Sequence, residues 1–332
     1  MVTRRLTFGD PGLPGAFHRP AVAVGVFDGV HRGHQEVLKT LEDWARDGED
    51  PSPVDTVVVT FSHHPRKVIE DAAFRLLTTL EHRLLLLERQ RIGGVVVLPF
   101  DEVMAAWPPE DFVRRVLVEG LGASRVLVGT NHRFGKDRAG DFALLSSLGE
   151  RYGFRARELP LRCDGQVISS TAIRQAVKLG ELGTARRLLG REVSVLGRVV
   201  EGDRRGRTLG FPTANLDLQH AARPPAGVYA ARARTVGPGR GEGPLLPAAV
   251  NIGKRPTFPS EEGEELVEVH LLEGGRDLYG ELLEVFFVEK LREEQNFSDS
   301  AALRAQIAQD VARAREILSR KTKTGAPPAD VS

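Results

Sequence analysis

Two histidines three residues apart, His31 and His34, follow a short apolar run at residues 21–26. Side chains three positions apart at the start of a helix lie on the same side, so both imidazoles can face one point. The N-terminus of a helix also carries unpaired N–H groups and the positive end of the helix dipole, which favour an anion. The spacing therefore predicts a phosphate-handling turn between a strand and a helix.

The two histidines belong to the stretch GVFDGVHRGH, whose glycines suit this chemistry. Gly29 and Gly33 allow the backbone to come close to a ligand. Two other interpretations remain open: a pair of solvated histidines in a surface turn, and a zinc site. Zinc is the weaker of these, because structural zinc normally takes four Cys or His ligands. Cys163 is the only cysteine, and the adjacent His63 and His64 are the only further histidine pair.

A second anion-binding pattern, ISSTAIR, lies near the end of the first half of the chain. Ser169, Ser170 and Thr171 are good N-cap residues, and Arg174 lies one turn into the helix that follows. Hydroxyls, free amides and a guanidinium would then converge on one place. Capping alone would also explain Ser170. Two such helix starts in one α/β sheet favour a ligand site, since ligands bind at the carboxyl ends of the strands.

A possible metal site lies in the second half, in the stretch GRTLGFPTANL, where Pro212 fixes an extended chain. Thr213 and Asn215 are two residues apart and therefore project to the same side. A hydroxyl and an amide oxygen side by side are hard ligands suited to Mg2+ bound to nucleotide phosphates. The alternative interpretation is an ordinary loop rich in glycine and arginine.

Two further places carry polar groups with less definite roles. Alternation in the predicted strand at residues 266–272 puts Glu268 and His270 on its polar face. Most carboxylates in such positions meet solvent, so the pattern alone leaves the role of Glu268 open. The stretch TFSHHPRK either places Phe61 and His64 in a pocket or is an ordinary strand exit.

The elements that must position these groups change in character near Gly190. Before it, apolar runs alternate with helical patterns, which is typical of βαβ units around a parallel sheet. Gly180 and Gly190 are predicted helix C-caps. Strands are predicted at residues 21–26, 56–61, 94–98 and 125–128, and helices at 34–44, 80–90, 109–119, 171–179 and 181–189.

After Gly190, short β-rich runs are separated by Gly, Pro and Arg, which predicts a small antiparallel barrel. We therefore predict an α/β chain with a Rossmann-like first domain over residues 1–190 and a barrel domain over residues 191–320. Residues 321–332 form a tail predicted to be disordered. Strands are predicted at residues 193–200, 227–233, 246–252, 266–272 and 282–288, and a last helix at 299–319.

Composition excludes some classes of function. The 332 residues contain 46 Lys and Arg against 45 Asp and Glu, so no overall field draws the chain to nucleic acid or to an anionic membrane. No apolar run approaches the length that a membrane span needs, and the N-terminus carries no apolar targeting segment. A single cysteine fits a reducing compartment. We expect a soluble, cytoplasmic protein of unknown oligomeric state.

The motifs together resemble those of a known family. GVFDGVHRGHQ, TFSHHP, ISSTAIR, GFPTAN, NIGKRPTF, VEVHLL with DLYG, and LREEQNF occur in that order over about residues 20 to 320. This order and spacing is similar to that of the prokaryotic bifunctional riboflavin kinase/FAD synthetases. The HxGH turn alone is shared by many nucleotidyltransferases, so the combination carries the resemblance.

The resemblance implies two reactions. In the barrel domain, the ribityl hydroxyl of riboflavin would attack the γ-phosphate of ATP, Glu268 would accept its proton, and Thr213 and Asn215 would hold Mg2+. In the first domain, the phosphate of the FMN so formed would attack the α-phosphate of a second ATP, giving FAD and pyrophosphate. His31, His34 and Arg174 would stabilise the charge there. The implied partners are riboflavin, FMN and ATP, with no nucleic acid and no membrane.

The resemblance also implies which residues contact the substrates. Nucleotide binding is assigned to Gly25, Phe27, Asp28, Gly29, Gly33, Asn131, Ser170, Thr171, Gly210, Thr213 and Asn215. Flavin binding is assigned to Phe61, His64, Arg255, Thr257, Arg292 and Phe297.

The sequence departs from the family pattern at several of the expected flavin pockets. Ser62 and His63 stand where Asp-Pro is common, and Val269 replaces a frequent threonine. Residues 130–132 replace an acidic and aromatic pattern, and residues 273–275 replace Asp-Phe-Asp. Two alternatives therefore stay open: a nucleotidyltransferase for another phosphorylated acceptor, and a non-catalytic flavin-binding regulator.

Overall fold

A computed structural model describes residues 3–47, 54–63, 75–130, 132–160, 162–163, 166–202, 209–219, 221–237, 241–254, 265–273 and 277–323. The chain forms two compact units, residues 1–76 with 80–170 and residues 77–79 with 171–330. This division falls between Ser170 and Thr171, and the domain boundary predicted at Gly190 stays a prediction. Among the described helices, none is both long and apolar enough to cross a membrane.

The first unit is built on a six-stranded parallel sheet. The strands are β1 Arg4–Thr7, β2 Ala21–Val24, β3 Thr56–Phe61, β4 Gly94–Leu98, β5 Arg125–Gly129 and β6 Arg155–Leu159. They pair in the order β1-β4-β3-β2-β5-β6. After β1 at one edge, β2, β3 and β4 follow one another toward that edge, and the chain then crosses to β5 and β6 on the other side of β2. The predicted parallel sheet is confirmed.

Apolar residues on both faces of the central strands explain why this sheet forms. Alternate residues of each strand feed two separate cores: Val22 and Val57 contribute to one, and Ala23 and Val58 to the other. A parallel sheet covered on both faces needs such continuous apolar runs. Because apolar cores cover both faces of the central strands, polar groups that bind a ligand are expected at the strand ends.

The helices of the first unit cover this sheet. They are α1 Arg32–Arg46, α2 Leu80–Glu88, α3 Glu102–Ala105, α4 Pro109–Phe112 with the π-helix Val113–Gly120 after it, a 3-10 turn Lys136–Arg138, and α5 Phe142–Tyr152. The short hairpin β7 Arg162–Cys163 with β8 Gln166–Val167 follows β6.

Helix α1 begins at Arg32, two residues before the predicted start at His34. The reason is a cap: Nδ1 of His31 accepts a hydrogen bond from the backbone N–H of His34 (3.3 Å), which satisfies one of the free amides of the first turn. The prediction used the spacing of apolar residues, and that spacing does not report the polar first turn. The prediction also missed β1, β6 and α5.

The second unit contains a closed antiparallel barrel, as predicted. Two helices, α6 Ser170–Lys178 and α7 Leu182–Leu189, precede it in the chain, and the helix C-caps Gly180 and Gly190 have φ of 75° and 76°. The strands are β9 Val193–Val200, β10 Ala214–Asp217, β11 Gly227–Gly237, β12 Gly241–Glu242, β13 Leu246–Lys254, β14 Glu265–Leu271 and β15 Leu282–Arg292.

Six of these strands pair in the order β11-β13-β14-β10-β9-β15, and β11 also pairs with β15, which closes the barrel. Closure removes the unpaired sheet edges. The last helix, α8 Ser300–Lys323, packs Ala314 and Leu318 against Val228 and Leu291 on the barrel. It ends four residues beyond the predicted end, and the rest of the predicted tail lies outside the described residues.

Candidate active sites

The order of the parallel sheet reverses between β2 and β5 in the first unit. In open α/β sheets, ligands bind in the crevice at the carboxyl ends of the two strands where the order reverses. Residues 25–34, here called the histidine turn, leave the carboxyl end of β2 at this place. The topology therefore puts the predicted phosphate-handling residues at the expected crevice.

The backbone of the histidine turn is strained. Phe27 has φ of 55°, Gly29 of 81° and Val30 of 39°, all in the left-handed region. Glycine adopts this region freely, whereas a non-glycine residue there costs about 1–3 kcal/mol. Hydrogen bonds hold the turn, from Val30 N–H to the Phe27 carbonyl (3.0 Å) and from Gln35 Nε2 to the Val30 carbonyl (2.9 Å). Strain of this kind is concentrated at ligand-binding turns.

The two imidazoles lie together at the N-terminus of α1. Their rings are stacked, with centroids 3.7 Å apart and planes 13° apart, and Phe27 lies against His34 with centroids 5.0 Å apart. His31 is only 1% exposed. Because Nδ1 of His31 accepts from a backbone amide, a neutral ring carries its proton on Nε2. His31 is therefore arranged as a hydrogen-bond donor beside the helix N-terminus.

The remaining residues predicted for this site fall into three groups. Ser170 Oγ donates to the carbonyl of the buried Asp28 (3.0 Å), which joins the ISSTAIR segment to the histidine turn. In the second unit, Arg174 Nη2 donates to Thr171 Oγ1 (3.0 Å), and their predicted roles beside the histidines stay predictions. Asn131 lies outside the described residues.

The glycines of the histidine turn differ in what surrounds them. Gly33 is buried in the first turn of α1. A Cβ added at Gly25 would lie 3.2 Å from the ring of Phe27, which is tighter than most contacts of that kind. Gly29 needs the left-handed conformation described above. Glycine is therefore favoured at Gly25 by the nearby Phe27 ring and at Gly29 by the backbone conformation.

Of the flavin residues predicted for the first unit, Phe61 ends β3 and is buried, with its ring edge-on to Phe100 at 5.6 Å. His64 lies outside the described residues. His132 is one of the residues at 130–132 that depart from the family pattern, and no sequence motif assigned it a role. It lies just beyond β5, where burial and the nearby Arg138 and Arg133 lower its pKa to about 4. It is therefore a neutral imidazole close to the sheet edge of the candidate site.

In the second unit, three polar residues are in register on neighbouring strands of the barrel. Glu268 on β14 is opposite Asn215 on β10 and opposite Asn251 on β13. Nδ2 of Asn251 lies 3.5 Å from Oε2 of Glu268. Residues paired across strands share a face of the sheet, so the carboxylate lies between two amide side chains. Asn251 could not be found from the sequence alone, because its position opposite Glu268 depends on the register between β13 and β14.

Asn215 and Thr213 fit a hard cation. Asn215 is 6% exposed, and within the described part of the chain its Oδ1 has no hydrogen-bond partner. A Cβ added at Gly202 would lie 1.8 Å from Asn215 Nδ2, so glycine is required there for the amide to fit. A buried oxygen that accepts no hydrogen bond is suited to a cation that prefers oxygen ligands. Thr213 is exposed immediately before β10.

A histidine that sequence reasoning did not assign holds the chain just before Thr213. Nδ1 of His270 lies 2.8 Å from the carbonyl oxygen of Pro212, and since a carbonyl can only accept, Nδ1 is the donor. The rings of Phe211 and His270 meet edge to face at 5.5 Å. Gly210, with φ of 87°, turns the chain into this segment. The loop before β10 is therefore anchored to the strand that carries Glu268.

Two of the flavin residues predicted for the second unit, Arg292 and Phe297, lie next to each other near the start of α8. The Arg292 guanidinium makes a two-pronged ion pair with Asp310, with Nε–Oδ1 of 3.1 Å and Nη2–Oδ2 of 2.8 Å, and lies 5.7 Å from the centroid of the Phe297 ring. A Cβ added at Gly253 would lie 2.0 Å from Oε1 of Glu294. The end of β15 is thus tied to α8 by Arg292, and Glu294, just after β15, lies against β13. Arg255 and Thr257 lie outside the described residues.

Comparisons with known proteins agree with this division. The chain matches the family model for FAD synthetase over residues 15–172 and that for riboflavin kinase over residues 189–318. It is 40% identical over 297 residues to the bifunctional riboflavin kinase/FMN adenylyltransferase of Escherichia coli (strain K12), covering 89% of this chain and 91% of that relative. The corresponding protein of Pseudomonas fluorescens is 37% identical over 302 residues, covering 90% and 94%.

A solved structure is similar over nearly the whole chain. It is a crystal structure described as a macrolide-efflux protein from Streptococcus pneumoniae, with 28% sequence identity and a TM-score of 0.75. The match covers 95% of this chain and 99% of that one. The arrangement of a parallel-sheet unit followed by a barrel unit is therefore shared with an experimentally determined fold.

Proposed function

Since this chain belongs to the bifunctional riboflavin kinase/FMN adenylyltransferase family, we propose that its two activities use the two constellations described above, one in each unit. The chain phosphorylates riboflavin to FMN and then adenylylates FMN to FAD, with ATP as the second substrate of both steps. The barrel carries the kinase site around Glu268, and the parallel-sheet unit carries the adenylyltransferase site around His31 and His34.

In the kinase step, Glu268 accepts the proton of the riboflavin hydroxyl as its oxygen bonds to the γ-phosphorus of ATP and the bond to the β-phosphate oxygen breaks. The position of the carboxylate in register with Asn215 and Asn251 supports this role, because Nδ2 of Asn251 donates to it and helps to fix its orientation. Thr213 and Asn215 would hold Mg2+, which neutralises phosphate charge when bound. The buried Oδ1 of Asn215 supports that assignment.

In the adenylyl transfer, an oxygen of the FMN phosphate bonds to the α-phosphorus of ATP, and the bond to the β-phosphate oxygen breaks to release pyrophosphate. The attacking oxygen is already anionic, so no protein base is needed and the work is positioning and charge stabilisation. Nε2–H of His31 donates to the phosphates at the N-terminus of α1, where the helix dipole also favours their negative charge. Stacking holds His34 beside His31.

The remaining assignments rest on the same chemistry. Ser170 supports the nucleotide site by holding the histidine turn through the Asp28 carbonyl, and Phe27 and Asp28 line that site. Arg292 and Phe297 contact the flavin in the barrel unit. Use of ATP as a substrate supports the cytoplasmic location that we expect, and the near balance of charge supports the absence of nucleic acid among its partners.

The observation that carries this proposal is that each family model matches its own stretch of chain, and each stretch holds its own polar constellation. The test is to incubate the purified chain with riboflavin, ATP and Mg2+ and to separate the flavins by chromatography. FMN should accumulate first and FAD should follow. Turnover of CTP or of a non-flavin phosphate in place of FMN, with no FAD formed, would contradict the proposal, as would the absence of any turnover.

A further inference from the structure

An arginine that no step above uses lies inside the first unit. Arg83, on α2, has no exposed surface and is among the largest fully buried side chains in the described part of the chain. Arginine is almost never fully buried unless its charge is engaged. The groups that hydrogen-bond to the guanidinium should therefore explain why an arginine is buried here.

The guanidinium joins the carboxyl ends of two neighbouring strands. Nη1 donates to the carbonyl of Val26, just beyond β2 (2.8 Å), and Nη2 donates to the carbonyl of Phe61, the last residue of β3 (2.6 Å). Thr60 Oγ1 also donates to the Val26 carbonyl (2.9 Å). The planar fork of arginine suits two acceptors on adjacent strands, which a lysine ammonium would hold less well.

These hydrogen bonds hold the chain at the point where the histidine turn becomes strained. Val26 immediately precedes Phe27, the first strained residue of the turn. A turn with strained φ angles keeps its shape only when its surroundings over-determine it. Fixing the Val26 carbonyl therefore fixes the entry to the part of the turn that carries His31.

Burial of the charge has a cost in this protein. Desolvation lowers the pKa of Arg83 to about 10, and the negative charge of Asp28 in the histidine turn opposes that lowering. The group stays charged at neutral pH. An apolar side chain in the same place would avoid the desolvation and would leave the two carbonyls without these donors.

We propose that Arg83 is a positioning residue for adenylyl transfer, which holds the carbonyls of Val26 and Phe61 so that the histidine turn presents the stacked imidazoles to the phosphates. The proposal rests on the proposed function of the first unit. Arg83 does not touch substrate in this role. Its effect passes through the turn.

The experiment compares Arg83→Met, which keeps length but removes the donors and the charge, with Arg83→Lys, which keeps a charge and donors without the fork. FAD formation from FMN and ATP is measured as kcat and KM, and FMN formation from riboflavin is measured in the same preparation. Thermal unfolding followed by circular dichroism shows whether each variant is native at the assay temperature. Arg46→Met, at the exposed end of α1, is the matched control.

In Arg83→Met we expect kcat for FAD formation to fall by about 10- to 100-fold, as for a misplaced catalytic group. The KM for FMN should change by less than about threefold, because the substrate contacts remain. Arg83→Lys should be intermediate. FMN formation should stay within about twofold of wild type in both variants, as should both activities of Arg46→Met.

A natively folded Arg83→Met with wild-type kcat would overturn the proposal. The proposal would also be overturned if both variants lose FAD formation only in proportion to the fraction of protein that is unfolded. If Arg83→Met does not fold, Arg83→Lys decides: a lowered kcat with a native melting curve supports the proposal, and a wild-type kcat overturns it. FAD formation by the wild-type chain is measured first, so a failure of the proposed function is seen separately.

Discussion

At the residue scale, the side chains of greatest chemical interest are those whose hydrogen-bonding atoms the backbone already engages. His31 accepts an amide of its own helix through Nδ1, which leaves Nε2–H as its donor. His270 donates through Nδ1 to the Pro212 carbonyl. In both residues the backbone partner selects the tautomer, and thus decides which ring nitrogen is available for other contacts.

His31→Ala should lower FAD formation by about 100- to 1,000-fold, since it removes a donor aimed at charge that develops in the transition state. FMN formation should be unchanged, because the kinase residues that we propose lie in the other unit. Chromatography of flavins from parallel assays with FMN and with riboflavin measures both. A loss of both activities in a protein that still melts like the wild type would contradict separate sites.

His132 should make the first unit sensitive to acid. Its pKa is lowered from 6.5 to about 4 by burial and by Arg138 and Arg133, so between these values the unfolded state binds a proton that the folded state does not. Stability should therefore fall as pH drops through this window, by up to about 3 kcal/mol.

Urea unfolding of the wild type and of His132→Gln from pH 7.5 to pH 4 measures this effect. The difference in unfolding free energy between the two proteins should shift in favour of His132→Gln as the pH falls. A difference that stays constant over the window would show that His132 does not titrate in this way.

At the scale of elements, α8 is connected to the end of β15 by the ion pair of Arg292 and Asp310. Both side chains are mostly buried, and Gln306 Nε2 also donates to Asp310 (3.0 Å). Because the segment after β15 contains Phe297, the helix supports a part of the chain that we assign to flavin binding. The ion pair also helps to hold α8, which lies outside the barrel, against the barrel strands.

Asp310→Ala should destabilise the second unit by about 2–3 kcal/mol, because it leaves a largely buried guanidinium without its carboxylate. It should also raise the KM for riboflavin more than it lowers kcat, since Glu268, the proton acceptor that we propose, is on another strand. Urea unfolding and kinase kinetics measure these effects. Glu316→Ala, which removes an exposed ion pair of the same helix, is the control and should change little. Equal effects of the two substitutions would contradict the special role of Asp310.

At the scale of the whole molecule, the chain consists of two compact units, each with its own family match and its own polar constellation. The product of the kinase is the substrate of the adenylyltransferase. Two activities that share no residues should be separable by single substitutions and should complement each other between molecules.

We expect His31→Ala to stop at FMN and Glu268→Gln to form no FMN, with a kinase loss of about 100- to 10,000-fold. Neither variant alone should then convert riboflavin to FAD, while an equimolar mixture of the two should do so through released FMN. Time courses of the three flavins by chromatography test this. A mixture that forms FMN and no FAD, although Glu268→Gln forms FAD from added FMN, would show that FMN does not pass between molecules.

Local patterns in the sequence determined much of this protein. Continuous apolar runs predicted four of the six parallel strands, β2 to β5, and Gly and Pro spacing predicted the barrel. The residues of the HxGH and GFPTAN motifs lie at a helix start and a strand start. These features depend on neighbours in the chain. The roles of the site residues and the domain boundary at Gly190 remain predictions. The tail of residues 324–332, Asn131, His64, Arg255 and Thr257 lie outside the described residues.

Only the tertiary structure decided which distant groups meet. Arg83 holds the carbonyl of Val26, 57 positions away, because β2 and β3 are adjacent and α2 packs above them. Asn251 lies beside Glu268 because of strand register, and Arg292 meets Asp310 because α8 returns to the barrel. Strand order, register and helix packing are set by burial of the whole core, and no short stretch of sequence contains them.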